Sequence, residues 1–236
     1  MISTMTKSYK YSICFSGSGY HYAWQMGVGL YLQENYDLSE CCFVGASAGS
    51  FVAILLAIGL SIDEYINKWT PESFIIFNLN TTGSYLITHD VLKLIHLKYM
   101  SQDDYKNANG RLYVSLTKCS CGGIRNSIVS EFESNEDVLN AICASSHIPY
   151  ICTPRIYYRY RGDKCIDGSF TYNWVKLNDE TLIVSPYRWS KKKYVYALTA
   201  LFSNSEERFY QLVKQGYEDA KRNESYFQSI PKLKTS

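Results

Sequence analysis

Apolar residues recur along this chain at two spacings, and each switch between them marks an element. Tyr9 to Phe15, YKYSICF, alternates aromatic and β-branched side chains and predicts a first strand. Ala23 to Gln33 predicts a helix with Trp24, Met26, Leu30 and Leu32 among its apolar positions. Cys41 to Val44 is a short apolar run of strand length, and Ser50 to Ile58 is an apolar run that Gly59 closes as a helix C-cap. Ser61, with Glu64 three residues on, is a capping box opening a helix to about Thr70, where Pro71 ends it. Thr88 caps a helix over His89 to Met100, and Ser101 opens a short one that stops at Asn109-Gly110. Arg111 to Thr117 and Ile124 to Val129 predict paired strands joined at Cys121-Gly122-Gly123. Ser134, with Asp137 three residues on, opens a helix to Ala144. Arg155 to Asp167 predicts a hairpin turning at Gly162-Asp163, and Thr181 to Pro186 a further strand. Ser205 to Phe227 predicts a charged amphipathic helix, and residues 228–236 a loose tail. Strands and helices in this order make an α/β domain.

Two of these turns carry chemistry. Gly45-Ala46-Ser47-Ala48-Gly49 joins the strand at Cys41 to the helix at Ser50. Strand, Gly-x-Ser-x-Gly, helix is the nucleophile elbow, in which the serine sits on a strained turn that larger neighbours would block. Here every flanking residue is glycine or alanine. The following helix aims its first amides at the serine and favours an oxyanion there. Ser16-Gly17-Ser18-Gly19 joins the first strand to the first helix and is an anion cradle by geometry. A dinucleotide fingerprint needs glycine at position 22, where this chain has Tyr22, and a phosphate loop needs Gly-Lys-Ser/Thr, which is absent. An oxyanion hole needs only close-set amides beside a nucleophile, so Gly17, Ser18 and Gly19 are the expected donors. A tight βα turn without a ligand is the plainer alternative.

Composition narrows the class. A chain of 236 residues, 46% of them hydrophobic, supports one domain with one sizeable core. A formal charge of +2 argues for neither nucleic acid nor an acidic partner. The eight cysteines form no CxxC pair, so no zinc site is expected, and those inside apolar runs fit reduced thiols in an intracellular protein. The N-terminus, MISTMTKSYK, has no apolar stretch of secretory type. Phe43 to Leu60 runs 18 residues without a charge, but its glycines and serines suit a buried strand–turn–helix better than a membrane span. Arg155, Arg159, Arg161 and Lys164 among three tyrosines give the hairpin a basic, aromatic surface. A solvated face is the simpler reading of it, and contact with anionic lipid headgroups the sharper one.

A serine hydroxyl is a poor nucleophile until a base takes its proton. Of the four histidines, His21, His89, His96 and His147, none follows Asp167, and only His147 lies late enough for a serine–acid–histidine order. It stands at a helix end beside Pro149 and would need Asp103, Asp104 or Asp137 as its acid. A carboxylate acting directly is the simpler alternative. Asp167 is its best candidate, because it ends a strand and the small Gly168-Ser169 follows. Its site has to raise its basicity by burial.

Gly17-Ser18-Gly19, Gly45-Ala46-Ser47-Ala48-Gly49 and Asp167-Gly168, in this order, resemble the motifs of the patatin-like phospholipases. CFSGSGYHYAWQMGVGLYL and Ala144-Ser145-Ser146-His147-Ile148-Pro149 resemble segments of its adiponutrin and adipose triglyceride lipase branch. The likeness runs from about residue 10 to residue 227, with its core motifs in 13–175, so one domain over 9–227 is expected. The resemblance implies a three-layer α/β/α sandwich around a mostly parallel sheet. It implies acyl-ester hydrolysis of a lipid, at a membrane or lipid-droplet surface, by a Ser47–Asp167 dyad without metal or organic cofactor. A transacylase, or a non-catalytic lipid-surface module, has the same fold. Tyr22 in place of the motif's last glycine, His21 where many members carry arginine, and Ser18 and Ser169 are the departures.

Overall fold

The computed structural model describes residues 8–68, 93, 96–189 and 205–234. Its strands are β1 (Tyr11–Phe15), β2 (Cys41–Ala46), β3 (Leu112–Ser120), β4 (Gly123–Val129), β5 (Tyr158–Tyr160), β6 (Asp163–Ile166) and β7 (Leu182–Val184). Its helices are α1 (Tyr22–Asn35), α2 (Gly49–Ile58), α3 (Asp104–Ala108), α4 (Asn135–Ser145), α5 (Pro186–Trp189) and α6 (Glu206–Arg222). The fold is a three-layer α/β sandwich around a mixed, mostly parallel sheet. β7, β1, β2 and β3 run parallel, as strands joined by helical crossovers must, while β4, β5 and β6 add antiparallel pairs.

The register of β3 positions the site. β2 pairs along it as far as Ala46, opposite Ser115. β6 arrives from the other direction and ends with Ile166 opposite Thr117. β4 pairs with both Ser115 and Thr117, and a strand has only two edges, so β2 and β6 share the edge that β4 leaves. The two strand ends therefore face each other across Leu116, and the residues that follow them are Ser47 and Asp167.

The parallel strands are apolar on both faces, as strands covered on both sides are. Ile13, Phe15, Phe43 and Val184 face the core that α1, α2, α4 and α6 complete. The alternate residues Cys14, Val44 and Ile183 face the other way, where Val175 and Leu177 cover them. α1 is apolar nearly all round and buried, because α6 lies along its outer side. The helices meet at two glycines. A Cβ on Gly27 would stand 1.9 Å from the Val213 carbonyl oxygen, and one on Gly216 would stand 1.8 Å from that of Trp24. Trp24 Nε1 donates to the buried Asp219 Oδ2 at 2.8 Å, which ties the same crossing.

Most predicted elements stand within a few residues of their expected bounds. Ser61 Oγ accepts from the Glu64 amide at 3.2 Å and Ser134 Oγ from that of Asp137 at 3.1 Å, so two predicted caps are made, and Ser205 Oγ, accepting from the Arg208 amide at 3.2 Å, adds a third. The helix after Ser61 is described over 62–68, and the expected signals at Thr70, Pro71, Thr88 and His89 lie outside the described residues. Residues 43–60 form strand, turn and helix, and no described helix is long and apolar enough to cross a membrane.

Two expectations need correction. The β5–β6 hairpin turns at Arg161-Gly162, with φ of 47° and 83°, and Asp163 is already paired with Tyr160. Positive φ at both central residues matches the twist of the flanking strands, a gain that outweighs placing arginine there. The loose tail expected from residue 228 is instead docked. Ile230 is buried, the Asp37 amide donates to the Pro231 carbonyl, and the Leu233 amide donates to that of Asn35. Ile230 and Phe227 bury against the main core, which holds the segment.

Candidate active site

Ser47 stands between β2 and α2 with φ of 53°, a conformation that costs a non-glycine residue about 1–3 kcal/mol. The surroundings enforce it. A Cβ on Gly45 would fall 2.3 Å from the Ser50 Cα, and one on Gly49 would fall 2.3 Å from the Phe15 carbonyl oxygen. Both glycines of the elbow therefore allow backbone to pass backbone, and Gly49 sets the start of α2 against the end of β1. The Ser47 amide donates to Ser145 Oγ at 2.9 Å, and Ser145 Oγ donates in turn to the Ser115 carbonyl at 2.6 Å. The hydroxyl of α4 thus fastens the elbow to β3.

Ser47 Oγ donates to Asp167 Oδ2, and both residues are buried. The other oxygen, Oδ1, accepts the Ser169 amide at 2.8 Å, and the Asp167 amide donates to the His147 carbonyl at 2.9 Å. The carboxylate is held by its backbone, by one amide and by the serine. Gly168 makes the close approach possible, since a Cβ there would fall 2.1 Å from the Ser115 carbonyl oxygen. Burial pushes the Asp167 carboxyl above its ordinary value, and the hydrogen bonds from Ser47 and Ser169 pull the other way. That is the direction a general base requires.

The imidazole of His147 is engaged elsewhere. Its Nε2 lies 3.2 Å from the Arg155 carbonyl, its ring packs near Tyr158, and burial lowers its basicity. His147 serves Asp167 through its backbone. His21 is buried and pushed down to about 4, chiefly by burial, and His96 bonds to Tyr65. His89 lies outside the described residues.

The glycine-rich turn is braced from both sides. From the inside, Gln25 of α1 donates through Nε2 to the Ser16 carbonyl at 2.8 Å, and Ser18 Oγ donates to Gln25 Oε1 at 3.1 Å. The serine that stands at position 18 is thus part of the scaffold, and its side chain is turned away from the cleft. From the outside, the Gly17 amide donates to Asn173 Oδ1 at 2.6 Å. A Cβ on Gly17 would fall 2.1 Å from Ser169 Oγ, so the turn lies directly against the segment that follows the carboxylate. The amides of Ser18 and Gly19 make no hydrogen bond among the described residues. Of the three expected donors, Gly17 is engaged and these two are open.

Ser47, Asp167, Gly17, Ser18, Gly19, Gly45 and Gly49 are the site residues expected from sequence, and the structure draws them to one end of the parallel strands. Ser145, Gln25 and Asn173 join them, the first two from segments that carry the family resemblance and Asn173 from outside any motif. Gln25 has a signal, the lone polar side chain in the apolar first turns of α1, because a buried amide has to find partners. Asn173 has none, since its role depends on a partner 156 residues away.

Comparison with known proteins shows the family and the fold. The profile of the family described as patatin-like phospholipase matches residues 13–175. Human omega-hydroxyceramide transacylase is 34% identical over 167 residues, which cover 68% of this chain and 31% of that protein. Mouse patatin-like phospholipase domain-containing protein 2 is 29% identical over 191 residues, covering 75% of this chain and 37% of that one. The chain thus spans about a third of the length of these curated relatives. The crystal structure of VipD from Legionella pneumophila shares the fold, with a TM-score of 0.57 at 13% identity over 94% of this chain and 67% of that one. A family match across more than half of the sequence makes this chain a member of the patatin-like phospholipase family.

Proposed function

We propose that this chain hydrolyses acyl esters of lipids through a Ser47–Asp167 dyad. The observation that carries the reading is the hydrogen bond from a strained, buried serine hydroxyl to a buried carboxylate whose basicity burial raises. In the first half-reaction Ser47 Oγ attacks the ester carbonyl carbon while its proton passes to Asp167 Oδ2. The carbonyl electrons move onto oxygen, and the open amides of Ser18 and Gly19 hold that oxyanion, with the α2 N-terminus adding positive potential. Gly17 joins them only if the Asn173 carbonyl gives way. Collapse expels the alcohol or lysolipid, which takes the proton from Asp167. Water then attacks the acyl-serine, Asp167 accepts its proton, and the fatty acid leaves with Ser47 restored. The reaction as written needs no metal and no organic cofactor, and its place is a membrane or lipid-droplet surface within the cell.

Transfer of the acyl group to an alcohol is a second reading, favoured by the 34% identity with a transacylase. It uses the same acyl-enzyme and differs only in what attacks it. A fluorophosphonate probe with mass mapping tests the shared step. Ser47 and no other serine takes the label, and Ser47→Ala abolishes both label and ester turnover. Folded protein presented on liposomes that takes no label would leave a non-catalytic lipid-surface module as the reading. Addition of a long-chain alcohol then separates the two activities, because a transacylase diverts the labelled acyl group from free fatty acid into a new ester.

A further inference from the structure

The segment after Asp167 opens with a single 3-10 turn, Gly168–Phe170, continues outside any strand, and alternates in direction. Ser169, Thr171 and Asn173 turn inward: Ser169 Oγ lies where a Cβ on Gly17 would stand 2.1 Å from it, Thr171 Oγ1 meets Thr117 Oγ1 at 2.8 Å, and Asn173 Oδ1 accepts the Gly17 amide at 2.6 Å. Between them Phe170, Tyr172 and Trp174 turn outward and are 59%, 48% and 47% exposed. Val175 is buried again, against Cys14, Val44 and Ile183. The inward anchors set the two-residue period, so three aromatic rings stand in a row outside the dyad. The apolar surface continues onto β4. Asn126 lies 3.4 Å from Thr171 Oγ1, and the residues two places to either side of it, Ile124 and Ile128, share its face and are also exposed.

Two cations stand within or against the row, and the nearest carboxylates in sequence on its C-terminal side are Asp179 and Glu180, beyond its end. Residues 168–178 contain no carboxylate and one cation, the exposed Lys176. Arg188, also exposed, sets its guanidinium 5.9 Å from the centre of the Trp174 ring. Neither cation makes an ion pair among the described residues. Exposed rings on this scale mark a contact surface. Tyrosine and tryptophan with an uncompensated rim of Lys and Arg match an apolar layer bordered by phosphates.

We infer that Phe170, Tyr172 and Trp174 form the ridge that docks this domain on a phospholipid surface, with Lys176 and Arg188 set against the lipid phosphates. The inference rests on the reading of Ser47 and Asp167 as a lipid-directed dyad. It adds which surface meets the lipid and why the site opens there. In this one segment the inward residues face the site, Ser169 bonding the base, and the outward rings face the lipid, so a docked ester reaches Ser47 without crossing bulk water.

Vesicle flotation and turnover of a water-soluble short-chain ester, measured side by side, test it. The variant carrying Phe170→Ser, Tyr172→Ser and Trp174→Ser is expected to bind phosphatidylcholine–phosphatidylserine vesicles roughly tenfold more weakly or worse, because no ring remains to enter the apolar layer. Its turnover of the soluble ester should stay within about twofold of wild type. Lys176→Gln with Arg188→Gln should weaken binding only where phosphatidylserine is present. Unchanged vesicle binding in the triple variant would overturn the proposal and point to a protein partner or a further segment of a longer chain as what covers the ridge. Equal loss of soluble-ester turnover would overturn it too, by showing that the rings only support Asp167. A conservative variant guards against misfolding. Brominated lipid should quench wild-type tryptophan fluorescence, and Trp174→Phe should remove most of that quenching. Quenching that survives the change would place another tryptophan at the lipid and overturn the assignment of the ridge. The two readings fail separately. Vesicle binding that depends on the ridge in a protein without esterase activity would sink the hydrolase and support the docking surface, while an active esterase with no vesicle affinity would do the reverse.

Discussion

Asp167→Asn keeps the shape of the carboxylate and removes its charge. With Asp167 as the direct base, turnover of a soluble ester should fall by about two to four orders of magnitude, with circular dichroism unchanged. His147→Gln should be mild, because the imidazole bonds to the Arg155 carbonyl and only the backbone of His147 reaches the base. A dead His147→Gln beside an active Asp167→Asn would restore a histidine mechanism. The pH response follows from the same residue. A base works deprotonated, so the acid limb of kcat/KM should rise through a pKa displaced above the ordinary carboxylate value of about 4. The raised value also carries a sign for folding. The contribution to stability is fully present below the unfolded pKa and is lost as pH rises through the higher folded one. Ser47→Ala removes a bond that favours the charged form, so the Asp167 carboxyl should titrate still higher when followed by carbon NMR. A downward move would show that the serine does not couple to the carboxylate. At this scale the motif residues were legible because each is fixed by its immediate neighbours. The role of Ser145 was not, although its segment carries the family resemblance, since it meets Ser47 from 98 residues away.

Among the elements, the α1–α6 crossing depends most on the absence of side chains. Gly216→Ala places a methyl group 1.8 Å from the Trp24 carbonyl oxygen, and neither helix backbone can yield alone. The helices must part along a fully buried seam, at a cost of about 1–3 kcal/mol, read as a lower urea midpoint at unchanged slope. Gly122→Ala is the control, with its nearest neighbour, Ser120 Oγ, at 3.8 Å. Equal midpoints would mean that the crossing adapts freely. The sequence marked α6 by its amphipathic period, and the period cannot tell which helix will cover it. That partner is α1, whose apolar stretch from Ala23 to Leu32, broken only by Gln25, is the sign of a largely buried helix. Turn chemistry was legible where glycine or a cap residue decides it. It failed at Arg161, where strand twist overrides the preference of the residue.

For the molecule as a whole, the order of strands and helices announced the α/β class, and three motifs in order pointed to the family. The mixed sheet was harder to foresee, because a hairpin at Tyr158 gives no sign of which edge it will join. It joins the edge of β3 that β2 has already half used. The distance between nucleophile and base is thereby measured off by a third strand that contributes no catalytic atom. Leu116 works as a spacer block between two abutting ends, and its side chain faces the core. Changes to that side chain test packing alone. A single residue added to β3 at this level would instead push the two ends apart by about 3.3 Å, the rise of one strand residue, and a proton cannot pass directly across such a gap. The arrangement tolerates drift in composition and forbids drift in length, so an insertion compatible with the dyad has to enter elsewhere along the chain.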